Sequence, residues 1–280
     1  MGSSMKDIKL RIRSVESTMQ ITKAMQLVAT SKIRRAKERM EASRPYAGVA
    51  MSSVADIVAS CKGNHIPYVT PHEGHRRCYV VIAGDRGLAG GYNNNIFRAV
   101  AADAEGRDWC VLPVGRKAIE KYEHAGVEML SQDFYPVAGT SVPRCRQMAE
   151  LLVKAYDAGQ IDEVILVTTS FVSMMTQEVQ QFQLLPIRPA VAEKPRAVSA
   201  VFEPDPESVL EQTVPDFLAG ALYSALCDAC ASENAARRNA MDSATKNADG
   251  MISSLRLKYN RARQGSITQE ITEIVAGAEK

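Results

Sequence analysis

KDIKLRIRSVESTMQITKAMQLVATSKIRRAKERMEASR, residues 6–44, contains neither proline nor glycine. Apolar side chains recur at Ile8, Ile12, Val15 and Met19, then at Met25 and Val28, and again at Ile33, Ala36 and Met40. Steps of three and four put them on one face of a helix. From Lys6 to about Ser60 the only breakers are Pro45 and Gly48. The pattern therefore predicts roughly 50 helical residues, or about 75 Å at 1.5 Å per residue. That exceeds an ordinary globular helix and points to a coiled coil.

The other end of the chain reads the same way. From about Glu207 to Ala276, with Pro215 near the start, the sequence is again helical, enough for roughly 90 Å. Between Cys227 and Gly250 the run CDACASENAARRNAMDSATKNADG has Met241 as its only bulky apolar side chain. Small residues allow helix backbones to approach closely but give no large apolar stripe. Such a helix is expected to touch several neighbours in turn and stick to none.

The centre differs. CYVVIA (78–83), DWCVLPV (108–114) and EVILVTTSFV (163–172) read as buried strands, with helical stretches at 93–104, 115–125 and 143–158 between them. Alternating strand and helix implies a parallel sheet with both faces covered, a compact three-layer α/β domain. EVQQFQLLPI (178–187) reads as a closing strand, and Pro186, Pro189, Pro195, Pro204 and Pro206 then punctuate the chain. The predicted division is 1–60 (N-terminal coiled-coil helix), 61–206 (central Rossmann-like domain) and 207–280 (C-terminal coiled-coil helix). The economical packing of the ends is an antiparallel helix pair projecting from the domain.

Charge is distributed unevenly. The chain of 280 residues is only +2 overall, yet residues 1–44 hold eleven Lys and Arg against four acids. One end faces something acidic. No run approaches the roughly 18 uncharged apolar residues of a membrane span. Lys6, Asp7, Lys9, Arg11 and Arg13 are incompatible with a signal peptide. The opening MGSS suits either a tag remnant or a native start, and Lys6 occupies the position where a myristoylation signal needs Ser or Thr. The expected setting is a cytosol-like compartment, in which the six cysteines are free thiols.

Four segments carry a resemblance. ITKAMQLVATSK (21–32), GDRGLAGGYN (84–93), ENAARRNAMDSATKNA (233–248) and YNRARQGSITQEITEIVAGA (259–278) resemble, in order and spacing, signature stretches of the gamma-subunit family of F-type ATP synthases. The resemblance implies a fold of two parts, a shaft of N- and C-terminal helices wound as a long antiparallel coiled coil and a Rossmann-like α/β foot. It implies one copy per complex, inside a ring of three alpha and three beta subunits, with the foot on the epsilon subunit and the c-subunit ring. The location implied is peripheral, on the cytoplasmic face of the bacterial plasma membrane, reached only through partners. The function implied is that of a rotor coupling c-ring rotation to conformational cycling of the catalytic beta subunits, with no active site and no cofactor of its own.

Carried over residue by residue, the resemblance makes Met25 a contact for a moving acidic beta loop. Arg263 and Gln264 hydrogen-bond another beta loop, a task suited to the planar fork of Arg. Glu203 touches the c ring. Arg11, Arg13, Lys23, Lys32, Arg34 and Arg35 form a basic face toward acidic beta loops. The chain departs from many relatives in carrying Ala89 where they have Cys and in ending at GAEK, and it lacks the cysteine-bearing insertion of chloroplast relatives.

The same residues admit sharper readings. GDRGLAGGYN follows a strand and precedes a helix, but lacks both Gly-x-Gly-x-x-Gly and Gly-Lys-Ser/Thr, so it reads as a tight turn rather than a nucleotide loop. Cys61, His65, His72, His75 and Cys78 match no standard zinc frame and read as a polar linker. Cys227-x-x-Cys230 lies within a helix, outside the context of a redox motif, and reads as two buried thiols. KIRRAKER (32–39) has no aromatic interleaving, which favours a protein-facing stripe over nucleic acid. Met25 suits core packing and partner contact equally. The competing function is a small-molecule-binding α/β domain with dimerising coiled-coil arms, which would need bulky residues on a second helix face.

Overall fold

The computed structural model describes residues 5–62, 65–188 and 201–278. MGSS, Pro189, Pro195 and the last two residues of GAEK lie outside the described residues. The elements in chain order are α1 (Met5–Ser60), β1 (Arg77–Ile82), α2 (Tyr92–Ala104), β2 (Trp109–Val114), α3 (Arg116–His124), α4 (Val142–Asp157), β3 (Glu163–Phe171), β4 (Gln177–Leu185) and α5 (Pro206–Ala278). Neither Pro45 nor Gly48 ends α1. Proline removes only the bond that the Glu41 carbonyl would accept, and that turn is exposed to water.

The chain forms two compact units. One comprises residues 30–236, the other residues 1–29 with 237–280. The first is built on a four-stranded sheet in the order β2-β1-β3-β4. β1 pairs in parallel with β2 and with β3. β4, read from the sequence as a closing strand, pairs antiparallel with β3 and makes the sheet mixed. Only residues 172–176 join the two, far fewer than the dozen or so that a crossover needs. That turn is closed by Ser173, whose hydroxyl accepts the N–H groups of Met175 and Thr176.

Alternation along the buried strands divides the core. Tyr79, Val81, Val111 and Val167 face Ile96 and Val100 of α2 and Ala118 and Tyr122 of α3. Cys78, Val80, Leu112 and Leu166 face Met148 and Leu152 of α4, together with Val58 of α1 and Leu218 and Leu222 of α5. The three-layer reading therefore holds, with a third layer that α4 shares with stretches of both terminal helices. Each fully buried leucine contributes about 1.5–3 kcal/mol of transfer free energy.

In the second unit, residues 5–29 of α1 run antiparallel to residues 237–278 of α5. Glu16 meets Arg256, Thr22 meets Thr245, and Gln26 meets Asp242, so numbers rise on one helix as they fall on the other. Among the buried and half-buried positions, 8, 12, 15, 19, 22, 26 and 29 on α1 and 241, 245, 248, 252, 255, 259, 262 and 266 on α5 form two regular series, flanked by half-buried residues such as Glu16, Met25 and Asp242. Both series step by four and three, the repeat of a coiled-coil seam. Val28 was expected on this stripe but is 57% exposed. The seam passes instead through Thr22, Gln26 and Ala29, which keep the four–three step that Val28 would break.

Candidate partner-contact surfaces

The glycine-rich stretch is fixed by its own side chains. Gly84 donates its N–H to Asn93 Oδ1 at 2.8 Å and accepts from Lys117 N–H at 3.0 Å. The Asp85 carboxylate accepts the N–H groups of Val137 and Ala138 at 3.1 and 3.2 Å and lies 3.4 Å from that of Arg116, at the start of α3. A helix N-terminus attracts an anion, and here a side chain of the chain itself fills that role. Leu88, at φ 62°, forms the outer tip of the turn. At Gly115 a Cβ would lie 2.0 Å from the Ala83 carbonyl oxygen, and φ is +90°, so only glycine fits between β2 and α3.

α2 and α4 lie on opposite faces of the sheet, so the chain switches direction between β1 and β3. In doubly wound sheets this is the crevice where ligands bind, at the carboxyl ends of the strands. α5 fills it. Thr168 of β3 donates to the Ala225 carbonyl, Tyr92 donates to the Ala229 carbonyl, and Ser232 donates to the Thr169 carbonyl of β3. Ala229, Ala231 and Ala235 are buried, and Glu233 lies against Gly84. The small residues from Cys227 to Ala235 therefore serve close internal packing. The expectation of a helix that sticks to nothing does not hold for that stretch, because its Ala and Ser side chains let α5 reach the ends of the strands.

The thiols and histidines are engaged locally. Burial pushes the Cys145 thiol up to about 12 and Cys230 up to about 11. Cys227 is raised as well, chiefly by burial. Cys78 lies inside the sheet in register with Cys110, and its hydrogen bond to Cys110 raises it. His72 Nδ1 lies 3.3 Å from Asp162 Oδ1, and its ring lies over Tyr156 at 4.1 Å. Cys61 hydrogen-bonds the Ile57 carbonyl at the end of α1. Cys78, His72 and Cys61 thus point to three different surroundings.

The residues singled out from the sequence fall on separate surfaces. Arg11, Arg13, Lys23, Arg263 and Gln264 are exposed on the helix pair, and Met25 is half-buried there. From Met25, beside the Gln26–Asp242 contact, to Arg263 is about 30 Å along α5 at 1.5 Å per residue. Lys32, Arg34 and Arg35 are exposed in the other unit, where Ile33 and Ala36 supply the inward face of KIRRAKER. Glu203 is exposed just before α5.

A further surface was missed by residue-level reading. The α5 seam ends at Ser266, and Ile267, Ile271, Ile274 and Val275 beyond it are all exposed, Ile274 at 71%. Their spacing forms an apolar stripe on one helix face. The signal was present in the sequence as ITQEITEIV, but no residue marks where the partner helix stops.

The family model described as ATP synthase matches residues 4–280. The ATP synthase gamma chain of Ruminococcus albus is 42% identical over 97% of this chain and 96% of its own length. That of Alkaliphilus metalliredigens is 41% identical over 100% of this chain and 99% of its own. The chain belongs to the ATP synthase gamma-chain family. The resemblance carried by the four segments is borne out over the whole length. Among solved structures, a chain of the Euglena gracilis mitochondrial ATP synthase (OSCP, F1 and c-ring) shares the fold with a TM-score of 0.69 at 17% identity, covering 98% of this chain and 93% of that one. A chain of the Tetrahymena thermophila mitochondrial ATP synthase central stalk and c-ring gives 0.61 at 24% identity, covering 80% and 99%. No helix among the described residues is long and apolar enough to cross a membrane.

Proposed function

We propose that this chain is the turning central shaft of an F-type ATP synthase. It couples rotation of the membrane c ring to conformational cycling of three catalytic beta subunits. The observation that carries the reading is full-length membership of the gamma-chain family at about 40% identity. The antiparallel helix pair with exposed basic and apolar residues supports it. A shaft without three-fold symmetry gives three chemically identical sites different surroundings. Their affinities for nucleotide then differ, and torque redistributes the populations.

In this role the chain contributes no catalytic group and no cofactor; chemistry belongs to its partners. Met25 meets the moving acidic loop of a beta subunit, while Arg263 and Gln264 hydrogen-bond a second beta loop. Arg11, Arg13, Lys23, Lys32, Arg34 and Arg35 face acidic beta loops. Ile267, Ile271, Ile274 and Val275 offer partners an exposed apolar stripe on one helix face. Glu203 touches the c ring, and epsilon binds the foot. The subunit is peripheral, held on the cytoplasmic face of the plasma membrane by its partners.

The competing reading, a ligand-binding domain with dimerising arms, is disfavoured by α5 in the crevice between β1 and β3. Reconstitution with alpha and beta subunits tests the proposal. The expected result is ATP hydrolysis by an assembly holding one copy of this chain. A chain that dimerised alone and left alpha and beta inactive would overturn it.

A further inference from the structure

The seam between α1 and α5 in the unit made by the chain ends has bulky apolar side chains at Ile8, Ile12, Val15 and Met19 on α1 and at Ile252, Leu255 and Tyr259 on α5, and polar ones where Thr22 and Gln26 meet Thr245 and Asp242. Thr22 is buried, and its hydroxyl lies 2.8 Å from that of Thr245 across the seam. One turn on, Gln26 Nε2 donates to Asp242 Oδ1 at 3.0 Å, and Asp242 Oδ2 holds Lys246 Nζ at 2.7 Å. Thr22 and Thr245 are further tied to their own helices through the Met19 and Met241 carbonyls. Among the described residues, the buried apolar ones of this unit are Ile8 and Ala29 on α1, and Met241, Ala248 and Ile252 on α5, with Ile12, Val15, Met19, Leu255 and Tyr259 half-buried beside them.

Such a seam specifies its axial register weakly through apolar packing alone. Seam positions recur every three or four residues, so a slide of one turn, about 5.4 Å, again sets apolar seam positions against apolar seam positions along most of the pair. The polar contacts do not tolerate it. Thr22 would then face Met241 or Ala248, neither of which bears a hydroxyl, and Gln26 would lose the Asp242 carboxylate. Polar residues at seam positions are the device by which coiled coils choose one register at some cost in stability.

We infer that Thr22, Thr245, Gln26 and Asp242 form a register lock that holds α1 and α5 at a single axial stagger. All four are positioning residues. The inference deepens the shaft reading and rests on it for its purpose, since a helix pair that slid under load would lose torque. The lock itself is a property of the chain's own contacts.

The test uses the complete synthase, with its alpha, beta and epsilon subunits and c ring, in sealed membrane vesicles. Spin labels attached through a keto-bearing amino acid at the exposed positions Ser17 and Ser254 report the distance between the helices by pulsed electron resonance. The parent is expected to give one narrow distance. The variant Thr22→Val, Thr245→Val, Gln26→Leu keeps the side-chain volumes close to the parent's and is expected to show a second population displaced by about one helical turn, 5.4 Å. Its melting temperature should be unchanged or higher, because apolar replacements at buried polar sites are often neutral. The ratio of ATP synthesised to ATP hydrolysed should fall severalfold. Replacing Leu by Lys at position 26 in that background, which gives Asp242 a charged partner, should restore the single distance.

A single narrow distance in the triple variant would overturn the lock, whether its melting temperature is kept or lowered. A lowered melting temperature at a single distance would make these contacts ordinary stabilising ones. Two populations with undiminished synthesis would keep the lock and count against the torque-bearing reading of the helix pair.

Discussion

Arg263 and Gln264 are exposed, and the Gln264 carbonyl is engaged only within α5, by Thr268. Replacing both by alanine should leave unfolding unchanged. If they hydrogen-bond a beta loop, coupled ATP synthesis should fall roughly ten- to a hundredfold, the equivalent of one lost charge-assisted bond of roughly 1.5–3 kcal/mol. Unimpaired synthesis would remove both from the contact surface. Met25→Lys sets a cation beside Lys23 and opposite an acidic loop, and the expected result is proton flow that no longer drives ATP formation in proportion. Asp228 carries a pH effect of a different kind. Burial raises its carboxyl above the usual range, and Arg44, 3.7 Å away, only partly opposes this. With the folded value above the unfolded one, Asp228 costs stability increasingly as pH rises through that range. Asp228→Asn should flatten the stability curve just above the ordinary carboxylate range, as chemical unfolding at several pH values can measure. A parent and variant with parallel curves would contradict the assignment.

At the scale of elements, α5 shows what small residues do. Ala229 is fully buried at the carboxyl ends of the strands, under the Tyr92 hydroxyl. Ala229→Leu should destabilise the sheet-bearing unit by about 1–3 kcal/mol through overpacking, while Ser254→Leu, on an exposed face, should change little. Equal melting temperatures for the two would show that the crevice is looser than its contacts imply. This stretch was also the hardest to read in advance. Strands β1 to β3 and all five helices follow from apolar periodicity, because burial leaves a two- or 3.6-residue trace. The lack of bulky residues in 227–235 leaves no such trace, since Ala and Ser suit both a free surface and a close approach. Thr22 and Gln26 were passed over on α1 for the same reason, as polar side chains at seam positions are invisible to an apolar count. The direction of β4 depended on counting the five residues of its turn. The fixed Gly115, by contrast, explains a glycine that periodicity leaves unassigned.

On the scale of the whole chain, the family match runs over residues 4–280 and the fold of the described residues agrees with it. The basic excess of residues 1–44 lies on helical surface and not in the sheet, where its net charge is available to partners. Surface ion pairs within the chain, such as Lys37–Glu41, consume little of it. Association with alpha and beta should therefore slow as salt rises, since exposed charges more than about 10 Å apart are screened at 0.1 M. Association rates independent of ionic strength would assign the basic residues no role in assembly. The central claim is that this chain turns inside its partners. A bead attached to the foot of the chain in a surface-fixed complex with alpha and beta, watched by single-molecule microscopy, tests it most directly. Stepwise rotation in one direction on adding ATP is the expected result. ATP hydrolysis at a full rate with the bead held still would contradict it.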